Sequence, residues 1–128
     1  IMLINLDFKS DEALYIQLRN QIILAIATDT LHEGDPLPSV RNLADDIGIN
    51  MHTVNKAYTV LKQEGFVKLD RRKGAVIAVD FDKMEVMQEL MEDMEVLLAK
   101  ATCRNISREE IHQMVDTMMD QFEGIEGI

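Results

Sequence analysis

Four polar residues, His52, Asn55, Lys56 and Thr59, fall on one side of a stretch whose other side is Val54, Ala57, Tyr58 and Leu61. If the apolar set is buried against a core, the polar set faces outward as a row of hydrogen-bonding groups on one helix. That is the chemistry of base reading. An asparagine amide pairs bidentately with the N6/N7 edge of adenine, and an imidazole donates or accepts in the major groove. Thr53, in the first turn, suits a phosphate drawn to the positive end of a helix. Further on, Asp70-Arg71-Arg72-Lys73-Gly74 is a basic turn between two apolar runs, with the charge to meet phosphates or the minor groove. By residue type alone, a solvated charged face accounts for these residues as well.

Other chemistry is hard to assemble. His32, His52 and His112 lie in three separate segments without ligand spacing, and Cys103 is the single cysteine. A metal site needs convergent donors, so neither a metal nor a cofactor is expected. There is no glycine-rich phosphate loop and no nucleophile motif, so no catalytic residue is assigned and an enzyme is not expected. A lone cysteine excludes an internal disulfide framework and fits a reducing compartment. No apolar run approaches the roughly 20 residues of a membrane span, and no secretory signal stands at the start. A cytoplasmic protein without a membrane partner is the expectation, with Ile1 an addition ahead of a natural start at Met2.

The net charge of −10 looks wrong for a nucleic-acid ligand until it is divided along the chain. Residues 1–80 carry 9 basic and 11 acidic side chains, and residues 81–128 carry 4 and 12, giving −2 and −8. Within 41–73, Arg41, Lys56, Lys62, Lys68, Arg71, Arg72 and Lys73 outnumber Asp45, Asp46, Glu64 and Asp70, a net of +3. Phosphate binding depends on the local surface, because counterions are released locally.

The positioning elements follow from periodicity and punctuation. Alternation at Ile4, Leu6 and Phe8 predicts a short N-terminal strand, and Ser10 is placed to cap a helix running to about Thr28 with Tyr15, Leu18, Ile22, Ala25 and Ile26 inward. Gly34-Asp35-Pro36 breaks that pattern, and Leu37 before Pro38 stays extended. Ser39 caps a short helix with Val40, Leu43, Ala44 and Ile47 inward and Gly48 as its stop. Asn50 caps a third helix, which Gly65 ends. Two helices joined through a glycine are the sequence form of a helix-turn-helix, and strands at 66–69 and 75–79 around the basic turn would make a wing. From Phe81 the pattern is helical throughout. Met84, Met87, Met91, Met94, Leu98 and Ala101 form a heptad-like seam, Thr102 to Ile106 a link, and Ser107 with Glu110 a capping box. The last helix turns Ile111, Met114, Val115, Met118 and Phe122 to one side, and Gly124–Ile128 should fray. The predicted fold is α+β, mainly helical: a winged helix-turn-helix over 1–80 and a two-helix tail, a hairpin, over 81–128.

The ordered run Leu37-Pro38-Ser39-Val40-Arg41-Asn42-Leu43-Ala44, Gly48-Ile49-Asn50, Thr53-Val54, Ala57-Tyr58, Leu61 and Glu64-Gly65 resembles the GntR family of bacterial regulators. Leu14-Tyr15-Ile16-Gln17-Leu18 is similar to that family's first helix, and the short tail resembles the YtrA-type subfamily. The resemblance implies a transcription regulator that binds an inverted-repeat operator in double-stranded DNA as a homodimer, a repressor of its own operon, often with ABC-transporter genes. The resemblance implies a DNA contact from Arg41 and places Met51 and His52 at recognition-helix positions. With Ser39, with the outward Thr53, Asn55, Lys56 and Thr59, and with the turn residues Arg71, Arg72, Lys73 and Gly74, these make up the expected DNA-binding set. The wing reads Gly74-Ala75-Val76-Ile77 where relatives more commonly have glycine-threonine-phenylalanine. Ala13 stands where many relatives have proline. Met51 and His52 stand where relatives often carry arginine, proline or asparagine, so the operator sequence does not transfer. The rival reading is a ligand- or protein-binding winged-helix adaptor without specific DNA contact.

Seven of the nine methionines lie in the tail. Two such helices cannot bury a core of their own. The faces formed by Met84, Met87, Met91, Met94 and Leu98, and by Ile111, Met114, Met118 and Phe122, therefore suit a dimer interface or a pocket for an unknown small-molecule effector.

Overall fold

A computed structural model describes residues 4–124. Two compact units divide the chain, Ile1–Asp80 and Phe81–Ile128. The first contains α1 (Leu14–Ala27), α2 (Val40–Ile47), α3 (Met51–Gln63), β1 (Val67–Asp70) and β2 (Gly74–Ile77). The second contains α4 (Lys83–Cys103) and α5 (Arg108–Phe122). The structure is mostly helical with one small sheet, as the sequence implies.

The core of the first unit is built by the expected stripes. Leu18 and Ile22 of α1, Leu43 and Ala44 of α2, and Val54, Ala57, Tyr58 and Leu61 of α3 are buried together, with Val67 and Ile77 of the hairpin closing one side. Leu18, Ile22, Val54, Leu61 and Ile77 are the largest fully enclosed side chains, and each contributes about 1.5–3 kcal/mol by leaving water. Ser39 Oγ accepts the Asn42 amide at 3.1 Å, and Asn50 Oδ1 accepts the His52 amide at 2.8 Å, so α2 and α3 both start at their predicted caps. Gly65, at φ 83, ends α3, and a Cβ at this position would collide with the carbonyl oxygen of Asp80.

The wing has a third rung that periodicity did not reveal. β1 and β2 pair antiparallel with Val67 opposite Ile77 and Asp70 opposite Gly74. On the other edge of β2, Pro36 bridges Val76, with the Leu37 amide donating to Ala75 at 2.8 Å and the Ile77 amide to Asp35 at 2.9 Å. Pro36 sits at the non-hydrogen-bonded position of this ladder, where its missing N–H costs nothing. The strands are shorter than the predicted 66–69 and 75–79 at the ends away from the turn. There Phe66 bonds back to α3 and Ala78 to Phe66.

Three further expectations need correction. Residues 4–8 form no strand, because no strand lies beside them. Glutamine side chains of α1 take that place instead. Gln21 Oε1 accepts the Asn5 amide at 2.8 Å, and Gln17 Oε1 accepts the Asp7 amide at 2.8 Å. Gln17 Nε2 also donates to Asp7 and Glu12 carbonyls at 3.0 and 2.9 Å, which satisfies the one buried polar side chain of the described residues. Ser10 does not cap α1. Its hydroxyl accepts the Glu12 amide in a local turn, and the helix starts at Leu14 behind an N-cap Ala13 with no side-chain bond. In the second unit, α4 extends two residues into the expected link, to Cys103. It closes at Asn105 in a left-handed conformation, φ 61, with Asn105 and Ile106 amides returning to Thr102 and Ala101 carbonyls. The capping box of Ser107 and Glu110 is present, with both bonds at 3.1 Å. The frayed end expected from Gly124 lies, from residue 125 onward, outside the described residues, as do Ile1 and Met2.

Tyr58 ties these elements together. Its hydroxyl donates to the Pro38 carbonyl at 2.7 Å, one residue before the cap of α2. Burial raises the phenol well above its ordinary 10.0, so the folded state keeps the proton while the unfolded chain loses it near pH 10. This group therefore leaves stability unchanged below pH 10 and lowers it as pH rises beyond, because ionisation favours the unfolded chain while the buried phenol stays protonated. Tyr58→Phe is expected to lower unfolding free energy by about 1 kcal/mol at neutral pH. It should also flatten the loss of stability between pH 9 and 11, measured by urea titration at each pH; an unchanged alkaline slope would refute the assignment.

Candidate nucleic-acid interface

With Val54, Ala57, Tyr58 and Leu61 buried, the outward side of α3 carries Met51, His52, Asn55 and Lys56 exposed and Thr53 and Thr59 half-buried. These residues are not equally available. Thr59 Oγ1 donates to the Asn55 carbonyl at 2.8 Å, so its proton is committed to the helix backbone. The Lys56 ammonium stands 4.2 Å from the centroid of the Tyr15 ring, a cation–π contact that draws it toward α1. No hydrogen bond among the described residues occupies the side chains of His52 or Asn55, which leaves both amide ends and both ring nitrogens for a ligand.

The start of α2, the middle of α3 and the hairpin enclose a cleft of about 220 Å³. Ser39, Asn55, Lys73 and Gly74 all line it, so residues spread over 36 positions of sequence meet at one site. Lys62 lines it too, a residue that the sequence counted toward the basic excess of 41–73 but not among the DNA contacts. Its signal was there: Lys62 follows Asn55 by seven residues, two turns along the same face. Arg41, in the first turn of α2, is exposed but not on the cleft walls, and the same holds for Arg71 and Arg72 at the tip of the turn.

The basic turn is built by an acid. Asp70 Oδ1 accepts the Arg72 amide at 2.8 Å and the Lys73 amide at 3.1 Å, and Gly74 takes φ 77 to bring the chain back into β2. This three-residue loop turns three consecutive cationic side chains to solvent. The two amide bonds, Arg72 first and then Lys73, hold the Asp70 carboxyl below its ordinary 3.8, with the charges of Lys73 and Lys68 adding to them.

In the second unit, every large apolar residue of the expected seam remains in reach of solvent. Met84 is 83% exposed, Met91 70% and Met94 36%, and neither α4 nor α5 has a buried residue. Met87, Met114 and Met118 are also exposed, while Leu98, Ile111 and Phe122 are half-buried. The seam does not exhaust α4. Val86, Leu90 and Leu97 form a second exposed apolar stripe, legible as spacings of four and seven but hidden behind the methionine repeat. No helix of the described residues is long and apolar enough to cross a membrane, and no group of three or more potential ligands among them is placed to hold a metal ion.

A capped helix pair, a polar outer face on its second helix and a cationic hairpin behind it define a winged helix-turn-helix DNA-binding protein. Residues 12–77 match the family described as bacterial regulatory proteins, gntR family, and the chain belongs to it. It is a DNA-binding transcription regulator and not an enzyme. The chain is 29% identical over 125 residues to the HTH-type transcriptional repressor YtrA of Bacillus subtilis, covering 95% of this chain and 96% of the relative. Identity to the HTH-type regulator YhcF of the same organism is 29% over 121 residues, 94% and 91% of the two chains. A solved structure described as a transcriptional antiterminator from Listeria monocytogenes EGD-e superposes with a TM-score of 0.84 at 26% identity, over 98% of this chain and 94% of that one. YtrA from Sulfolobus acidocaldarius, a GntR-family transcription factor, gives 0.59 at 36% identity over 72% and 97%.

Because Asp70 is held below 3.8 by amides it organises, the turn is intact above that value and is released as pH falls through the lowered one. In NMR titration, the Arg72 and Lys73 amide resonances should move together with a common midpoint below 3.8. A midpoint at or above 3.8, or two unrelated midpoints, would contradict this geometry.

Proposed function

We propose that the protein is a homodimeric repressor that binds an inverted-repeat operator, with α3 reading bases and the wing holding phosphates. The observation that carries this reading is the division of α3, whose inner stripe is sealed in the core while His52 and Asn55 stand outside with unoccupied hydrogen-bonding groups. Asn55 takes an adenine edge, His52 an adjacent base, and Thr53 a phosphate at the helix start. Ser39, Arg41 and Lys56 meet the sugar-phosphate backbone beside them. Arg71, Arg72 and Lys73 add sequence-independent attraction, with Gly74 allowing close approach of the turn. Similarity to a relative named as a repressor over nearly its whole length supports the sign of regulation. Its own operon, with ABC-transporter genes, is the target that the family resemblance implies.

The tail supplies the second copy. Its apolar faces are largely exposed, and each methionine or leucine buried there contributes about 1.5–3 kcal/mol. A twofold pairing of these faces puts two α3 helices on one duplex, and raises the effective concentration of the second once the first has bound.

Selection of bound sequences from a random DNA pool tests the whole reading: an inverted repeat, with binding that weakens steeply as salt rises, is expected. Recovery of no preferred sequence would overturn it in favour of an adaptor. Arg41→Ala should weaken operator binding by about 1–3 kcal/mol in a folded protein, and Asn55→Ala and His52→Ala should change the preferred bases. Neutralising Arg71, Arg72 and Lys73 together should lower the salt slope by about one for each phosphate no longer neutralised, with little change in base preference. Met94→Glu places a carboxylate among Glu92, Glu95 and the seam, and should yield a folded monomer by light scattering that binds the full repeat far more weakly. A folded monomeric mutant as tight as the parent would rule out the dimer mechanism.

A further inference from the structure

Met51 does not fit the face it occupies. It is the first residue of α3, 43% exposed, and takes no part in the core. Its outward neighbours His52, Asn55 and Lys56 are all polar. Helical side chains lean toward the N-terminus and residues four apart stack on one face, so Met51 and Asn55 form one column ending at the tip of α3. Two amides at that tip are already engaged, since Asn50 accepts the His52 amide through its side chain and the Thr53 amide through its carbonyl at 3.0 Å. The thioether of Met51 has no donor with which to read guanine and no charge with which to hold a phosphate. Among the groups on the floor of the major groove, its complement is the 5-methyl of thymine. An unbranched, polarisable side chain adapts its shape to such a methyl without a fixed rotamer.

We propose that Met51 is a specificity-determining residue that reads a thymine through its 5-methyl group, beside the adenine read by Asn55. The inference rests on the reading of α3 as the base-reading helix. It gives each operator half-site an A·T pair under Asn55 and a thymine at or next to that pair, the two contacts following the i, i+4 column.

The methyl can be removed without touching any hydrogen-bonding group, by replacing thymine with deoxyuridine. On an operator selected by the parent protein, single replacements should identify one thymine per half-site whose methyl contributes about fourfold in affinity, the factor that burying one such carbon corresponds to. Replacing both should cost about fifteenfold. Met51→Ala should bind the thymine operator more weakly and be indifferent to uracil at that position, while Met51→Leu should keep the sensitivity. Circular dichroism of each variant separates a folded protein from an unfolded one, and an exposed first-turn residue is replaceable without loss of fold. A parent that prefers its operator but ignores uracil at every thymine would overturn the role of Met51 and leave α3 as the reading helix. Met51→Ala retaining the parent's sensitivity would assign the methyl to another side chain and overturn it equally. Failure of the parent to prefer any sequence would remove the base-reading role of α3, and this inference with it.

Discussion

The first unit depends on one constraint, that α3 must be sealed on one side and open on the other. Val54, Ala57 and Leu61 are fully buried, packed against Leu18 and Ile22 of α1 and Leu43 and Ala44 of α2. A rotation of α3 by one residue would carry Asn55 into the core and Val54 into solvent. The hydrophobic cost of that exchange, together with an amide left without partners, fixes which residues the helix presents. Tyr58 adds a positional constraint to the rotational one. Its hydroxyl holds the carbonyl before Ser39, so the start of α2 cannot slide along α3 without losing a partly buried hydrogen bond.

Several backbone groups outside the helices are satisfied by side chains and by the wing. Gln17 and Gln21 act as a strand edge for residues 5 and 7, Asp70 closes the basic turn, and the segment from Gly34 to Leu37 pairs with the free edge of β2. Among the described residues no buried side-chain nitrogen or oxygen lacks a partner. The third rung of the wing covers an edge that would otherwise invite pairing with another chain. It also links the hairpin to the motif that starts α2, which is why Ser39 and Lys73 come to share a cleft.

The two units solve opposite problems. The winged unit closes its own core and leaves charge on the outside, with the basic excess confined to 41–73. The tail keeps 8 of the 10 net negative charges and closes nothing, since neither of its helices buries a residue. Phosphate repels acidic side chains, so the charge split suits the basic segment to DNA and the apolar, acidic tail to protein.

Much of this was readable from residue order. The caps Ser39 and Asn50, the stops Gly48 and Gly65, the inner stripe of α3, the hairpin and the capping box at Ser107 are local features, set by the conformational limits of glycine, the hydrogen-bonding reach of short polar side chains and helical period. Local rules therefore sufficed for the helix-turn-helix and for the outward residues His52 and Asn55. They failed where an element's partner is distant in sequence. Alternation at Ile4, Leu6 and Phe8 predicted a strand, but the tertiary structure set glutamine side chains of α1 rather than a strand beside that segment, and Phe8 enters a turn. Ser10 had the chemistry of a cap and lost the role to a local turn. Lys62 became a cleft residue, Lys56 was drawn to Tyr15, and Pro36 found the one ladder position that needs no N–H, because packing of α1, α2 and the wing around α3 brought those groups within reach. Sequence determined which surfaces are apolar, basic or capped; three-dimensional proximity decided which of them meet, since contact energies act over a few ångströms and not along the chain.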